Sequence, residues 1–340
     1  MTESKYRRDY VEELGEGAEQ GEAYLVFSDK SKSANERQRA IESATLLTEQ
    51  EQVTAALSVI RDKEEDAELR SATLYAMTTQ VSGSPDLIDM VIGLLRDADE
   101  PTVVRMTALQ VLQQSSFRAS VFSPKRAEYL AALREVLNAK DASLREEALE
   151  ILAQEKDEYA QRMLLEGLEK RSKPLVRPAK AIQLLGYDVH GKHTPILKQM
   201  AKNAPSRLAK QEAIRLLAAD SSSAELLSEI LNDKNENPEV RRSSALALQS
   251  AAPEVFEEHA QRIALDDEED DRLRVSSITA LTLSSRSKGG KGRKSRKARA
   301  QSGRDDQFKK QVEQLAEKAA SKQLGRAAAR YMSMTSEQPE

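Results

Sequence analysis

Apolar residues along this chain recur at helical spacing. From about residue 22 to residue 284 they fall at i, i+3, i+4 and i+7, with no strand-like alternation. One phrase returns through the stretch: an aliphatic residue, a base, two spacers, a small residue, then aliphatics one, three and four places on. It reads Val104-Arg105 with Ala108, Leu109, Val111 and Leu112, and Leu144-Arg145 with Ala148, Leu149, Ile151 and Leu152. Weaker copies stand at Leu69-Arg70, Val176-Arg177, Val240-Arg241 and Leu273-Arg274, and Arg37 and Lys210 fill the same slot. The eight anchors are 33, 35, 40, 32, 33, 31 and 33 residues apart, a mean of about 34.

A second apolar segment precedes each anchor after the first. It ends at Ile60, Leu95, Leu137, Leu168, Met200, Leu231 or Leu265, 8 to 10 residues ahead. Each unit therefore reads as helix A, a short turn, helix B and a linker. The turns carry capping chemistry. Asn237-Pro238 places a cap before a proline in the first helical turn, and Asp66, Asp141 and Asp270 stand four residues before their arginines. Ser33 and Glu36 form the pattern of a capping box. A unit of this length is too small to fold alone, so the units must stack, which explains apolar positions on both flanks of helix B.

The aliphatic-Arg-x-x-Ala phrase of the second helix resembles HEAT repeats, in particular the short HEAT-like repeats also found in phycobilisome lyases. The tryptophan-led tetratricopeptide pattern and the Thr-Pro-Leu-His of ankyrin repeats are absent. The resemblance covers about residues 22–284 and implies an all-α, right-handed α-solenoid of about eight to nine helical hairpins. It also implies a ladder between neighbouring units in which Asp66, Asp141 and Asp270 join Arg70, Arg145 and Arg274 as structural residues; Lys173 and Asn237 depart from its aspartate. HEAT-like relatives include phycobilin lyases and alkylpurine DNA glycosylases, so the resemblance speaks for architecture and leaves activity open.

Composition adds an asymmetry. Aromatics are only 4% of the 340 residues, with no Trp and no Cys, so the core rests on Ala, Leu, Ile and Val, and disulfides and thiolate metal sites are excluded. Residues 286–304 hold nine Lys or Arg and no acid, which leaves −13 on the rest of a chain of net charge −4. The tract is rich in Ser and Gly and has too little apolar surface to order itself, so disorder is expected there. Helical spacing resumes at Phe308, Val312, Leu315 and Ala319, followed by 326–332. The expected organisation is a flexible acidic segment 1–21, a repeat array 22–284, a disordered basic insertion 285–304 and a capping hairpin with tail 305–340. No stretch has the roughly 20 apolar residues of a membrane helix, and no export signal is read, so a cytoplasmic monomer is expected.

Three departures from the repeat offer candidate sites. The 40-residue step between Arg105 and Arg145 holds Phe117 and Phe122, which either pack on the next hairpin or anchor a partner. The loop 186–195 carries Asp188, His190 and His193; with no further ligands it reads as a linker, and no metal or other cofactor is expected. The basic tract offers Lys288, Lys291, Arg293, Lys294, Arg296, Lys297 and Arg299 to a polyanion, or to the chain's own acidic run at residues 266–271, itself expected to be a solvated turn capping the next helix B.

No phosphate loop, nucleophile elbow or His-Glu-x-x-His motif is present, so a non-catalytic function is expected. Residues one and five places after each anchor should form an exposed stripe on helix B, lining the concave face of the array, with Tyr75, Met106, Ile182 and Leu246 as apolar contacts and Arg215 and Arg242 as charged ones. The leading expectation is a scaffold or adaptor that binds a protein along this stripe. The alternatives are nucleic-acid binding through the basic tract, or a lyase-like or chaperone-like subunit.

Overall fold

The computed structural model describes residues 23–43, 47, 49–170, 174–188, 192–287, 296–319 and 321–336; side chains of 284–287, 296–305 and 336 are outside the description. The described residues are helical throughout, with no strand among them, and no described helix is long and apolar enough to cross a membrane. The chain divides into two compact units, Met1–Gln161 and Arg162–Glu340.

In the first unit the hairpins are α1 (Ala23–Ser28) with α2 (Ala34–Ser43), and α3 (Gln50–Arg61) with α4 (Ala67–Ala76). A short α5 (Thr78–Gly83) leads to α6 (Pro85–Arg96) and α7 (Thr102–Ser116). The long repeat step is taken up by α8 (Ala119–Phe122) and the 3-10 turn Ser123–Lys125, before α9 (Arg126–Val136) pairs with α10 (Ala142–Gln154). Helix α11 (Glu158–Lys170) begins in the first unit, and from Arg162 on it belongs to the second.

The second unit continues with α12 (Pro178–Leu185), then α13 (Thr194–Asn203) with α14 (Arg207–Leu217). Next come α15 (Ala224–Asn232) with α16 (Pro238–Ala251), and α17 (Pro253–Leu265) with α18 (Asp271–Ser287). The last pair is α19 (Arg296–Lys318) with α20 (Lys322–Ser336), where Phe308 meets Tyr331 edge to face at 5.5 Å. Within each unit the second helices pack in succession, α2 on α4 on α7 in the first, and α14 on α16 on α18 on α20 in the second. This stacking of hairpins is an α-solenoid arrangement in each unit.

The anchor sits at one place in the helix. Arg37, Arg70, Arg105, Arg145, Lys210, Arg241 and Arg274 each lie four residues after the capping residue of helix B, and each of their backbone amides donates to that residue's carbonyl. In five hairpins the anchor Nε also donates to a carbonyl ten residues earlier, at the end of helix A: Arg37 to Phe27, Arg70 to Ile60, Arg105 to Leu95, Arg241 to Leu231 and Arg274 to Ala264. That bond satisfies one of the carbonyls a helix C-terminus leaves open.

The free end of the guanidinium reaches the next hairpin. Arg37 meets Glu65 at 2.7 and 2.8 Å, Arg70 meets Glu100 at 2.7 Å, Arg241 meets Glu269 at 2.6 Å, and Lys210 meets Glu236. The ladder partner is therefore the glutamate immediately before the next cap, and the expected aspartate–arginine ladder is corrected. Asp66, Asp141 and Asp270 instead cap their helices, accepting amides of Leu69, Leu144 and Leu273. An aspartate has the short reach an N-cap needs, whereas spanning to the preceding repeat takes the longer glutamate.

Five of the turns have a further acid at their start. Asp29, Asp62, Asp97, Asp233 and Asp266 accept the amide two residues on, closing an Asx turn. The acidic run 266–271 is thus one copy of the shared turn, in which Asp266 closes the turn, Glu269 joins the ladder and Asp270 caps α18.

The ladder does not extend through every hairpin. Lys140 stands where an acid would receive Arg105, and Arg145 donates to the carbonyls of Ala139 and Lys140 in its own turn. Arg177 is not an anchor but the N-cap of α12. Pro178 lacks an N–H and favours the first helical position, so the helix starts there and the anchor slot falls on Ala181.

Candidate functional site

A helix advances 100° per residue, so a site on helix B is set by its angle from the buried anchor. Positions −1, +3, +4 and +7 face the core, and +5 points directly away from it. The structure follows this: Glu42, Tyr75, Gln110, Arg215, Leu246 and Thr279, all at +5, are exposed. Tyr75 is 54% and Leu246 65% exposed.

The +1 positions are different. They lie on the flank that meets the next helix B, so the Ser71 hydroxyl bonds Thr107 at 2.7 Å and Gln211 donates to Ser243 at 3.4 Å. Met106 and Arg242 are accordingly half-buried. Arg215 and Arg242 pair with Glu212 and Glu239 on their own helices, at 2.8 and 2.5 Å. Such exposed pairs hold a side chain in place but add little stability.

Ile182 is a correction. It is fully buried, because the register shift in α12 moves it from the expected +5 row to the position after the true slot, inside the hairpin packing. Of the two alternatives for Phe122, packing holds and the partner anchor is corrected: it is 1% exposed and meets Tyr129 edge to face at 5.3 Å, so it is core and no partner can reach it. The short helix α8 turns it inward. Phe117, which lies ahead of α8, is 86% exposed.

Of the basic-tract candidates, Lys288, Lys291, Arg293 and Lys294 lie outside the described residues, as does His190 of the linker loop. Arg296, Lys297 and Arg299 fall in the first turns of α19, with side chains outside the description. In the second unit an apolar cleft of about 180 Å³ is lined by Gly167, Leu168, Pro174, Pro178, Met200 and Pro205 and carries no ionisable group.

Sequence reasoning overlooked exposed leucines outside its +1 and +5 rule. Leu208 lies two places before its anchor and Leu283 nine places after, at 59% and 55% exposure. Both angles fall close to that of +5, so a full wheel around each anchor would have found them.

Two histidines of the second unit make its stability depend on pH. Burial lowers the pKa of His193, whose ring nitrogens have no hydrogen-bond partner among the described residues; Asp188 opposes this. Burial, reinforced by Arg262, also lowers that of His259, whose Nδ1 faces donors from Asn232 and Arg262 and so must stay unprotonated. With folded values below the unfolded value of about 6.5, this contribution is full above that pH and is lost as pH falls towards the folded values. The melting temperature is expected to drop between about pH 7.5 and pH 5.5. His193→Leu, which needs no proton, should remove much of that drop; an unchanged drop in the variant would contradict the assignment to His193.

No family model matches the chain, and no curated protein matches it. Among solved structures, human deoxyhypusine hydroxylase in complex with glycerol is similar with a TM-score of 0.32 and 21% identity, over 78% of this chain and 95% of that one. Importin beta in an ammonium sulfate condition is similar with a TM-score of 0.46 and 12% identity, over 94% of this chain and 47% of that one. The chain thus spans about half the length of that importin beta chain. Neither similarity bears on what this chain does, and the architecture rests on the hairpins and the ladder described above.

Proposed function

We propose that this protein is a non-catalytic scaffold that binds another protein along the solvent face of its second helices. The observation that carries the reading is the +5 row. Within each unit most second helices expose one outward position, among them Tyr75 in the first unit and Leu246 in the second, both more than half exposed. Single exposed apolar residues are ordinary, but outward positions repeated on neighbouring helices of one unit provide a continuous surface on that unit for a polypeptide.

The row's chemistry fits a protein ligand. Tyr75, Gln110, Leu246 and Thr279 supply contact area, and Arg215 on the row and Arg242 on the flank beside it, each held by a glutamate of its own helix, supply orientation. A photo-crosslinking amino acid placed at Gln110 or Thr279, both on the row, is expected to capture a discrete protein from a lysate of the native source. The same group at Glu225 or Glu258, exposed on the first helices, should not. Capture from the first-helix positions alone, or from none, would refute the reading.

A further inference from the structure

The solvent face of the second unit combines apolar and cationic groups in an arrangement that identifies a ligand class. The leucines Leu208, Leu246 and Leu283 lie on three consecutive second helices, α14, α16 and α18, and each is more than half exposed. Counted from the anchors Lys210, Arg241 and Arg274 they stand at −2, +5 and +9, angles within about 40° of one another on the outward crest. Because the helices pack side by side, these offsets trace a diagonal. Each step rises about 6–10 Å along the helix axes and crosses about 8–10 Å between them, so the leucines lie about 10–15 Å apart. That is close to two turns of an α-helix.

The charge around them is one-sided. Besides the anchors Lys210, Arg241 and Arg274, the described side chains of α14, α16, α18 and α20 include seven Lys or Arg against three acids. All three acids are paired with arginines: Glu212 with Arg215, Glu239 with Arg242 and Asp271 with Arg274. Arg272, Arg326 and Arg330 are exposed and have no ion-pair partner among the described residues. Helix α20 has three bases and no acid at all. A chain of net charge −4 therefore presents a cationic, leucine-studded face on this unit.

We propose that the face formed by α14, α16, α18 and α20 binds an acidic amphipathic helix of a partner protein. The three leucines take apolar side chains spaced two turns apart on the ligand, and the unpaired arginines meet its carboxylates. This rests on the scaffold reading and narrows it to one unit and one ligand chemistry. A nucleic acid would use the arginines but leave the leucines idle. An uncharged apolar helix would leave at least three guanidinium groups desolvated without partners, which is costly.

The test uses the full chain and a fluorescein-labelled helical peptide of about 18 residues, with leucine at every seventh place and glutamate between. Saturable binding is expected by fluorescence anisotropy. A scrambled peptide of the same composition, with leucines on all faces, should bind at least about tenfold more weakly. Changing Leu208, Leu246 and Leu283 together to Ser should cost a similar factor while leaving the thermal melt unchanged, since the side chains face solvent. Arg272→Gln with Arg330→Gln should weaken binding and flatten its salt dependence. No binding of the peptide, equal binding of the scrambled peptide, or binding indifferent to the leucines would overturn the proposal. So would a short DNA duplex that binds more tightly than the peptide. If the peptide fails while photo-crosslinks from Gln110 still capture a protein, the scaffold reading stands and this inference alone falls.

Discussion

Replacing Arg241 by alanine should destabilise the second unit by about 3–5 kcal/mol, a large share of the stability of an ordinary domain. The side chains of Arg241 and Glu269 are 5% and 4% exposed, and the guanidinium meets both carboxylate oxygens at 2.6 Å while Nε donates to the Leu231 carbonyl. Removing the arginine orphans a buried carboxylate and the end of α15. Burial by itself raises the Glu269 carboxyl, but the Arg241 bonds and the Asp270 amide outweigh it and hold the group below its ordinary value. The pair's contribution is therefore full above the unfolded value of about 4.3 and fades as pH falls through the lowered folded one.

In the variant the same carboxyl must titrate higher, so its deficit should be largest at neutral pH and shrink on acidification. Urea unfolding at several pH values would measure this, and a deficit independent of pH would show that lost packing, not the orphaned charge, is responsible. The double change Arg241→Leu and Glu269→Leu should recover most of the loss, because a buried pair is stabilising mainly by comparison with a broken one.

Ile182→Asp and Leu246→Asp should behave in opposite ways, although both residues were expected on one exposed stripe. Ile182 is fully buried, so aspartate forfeits about 1.5–3 kcal/mol of apolar burial and adds the larger cost of an unpaired buried charge. Loss of cooperative folding around the short helix α12 is expected, visible as lost helicity by circular dichroism. Leu246 is 65% exposed, and its replacement should change stability by no more than about 0.5 kcal/mol. Equal melting of the two variants would contradict the register assigned to α12.

Much of the local structure was legible because its causes are local. The caps Asp66, Asp141, Asn237 and Asp270 act on amides two or three residues away, and all four accept the bonds their positions implied. Ser33 and Glu36 form the capping box, with the Ser33 amide bonded to Glu36 and the Glu36 amide to Ser33. Arg177 misled because its neighbours satisfy the repeat phrase while Pro178 imposes a helix start at the wrong place for it. An aliphatic-Arg dipeptide has no means of overriding a residue that lacks an N–H. Phe117 and Phe122 differ only in which of them the short helix α8 carries inward, and nothing in the sequence between Arg105 and Arg145 distinguishes them.

By itself the sequence determined that the chain is helical, that its helices come in pairs, and where most second helices begin. Those properties follow from apolar spacing and cap chemistry within a few residues. Only the tertiary structure decided what the buried bases hold. Arg37, Arg70 and Arg241 find their glutamates 28 to 30 residues ahead, across the gap to the next hairpin. The partners were written in the turns as Asp62 to Asp66 and Asp266 to Asp270, yet a run of acids has the same appearance in solvent as in a ladder. Which carboxylate is buried depends on the neighbouring hairpin that excludes water from it, and likewise which leucine is exposed depends on where that neighbour stops.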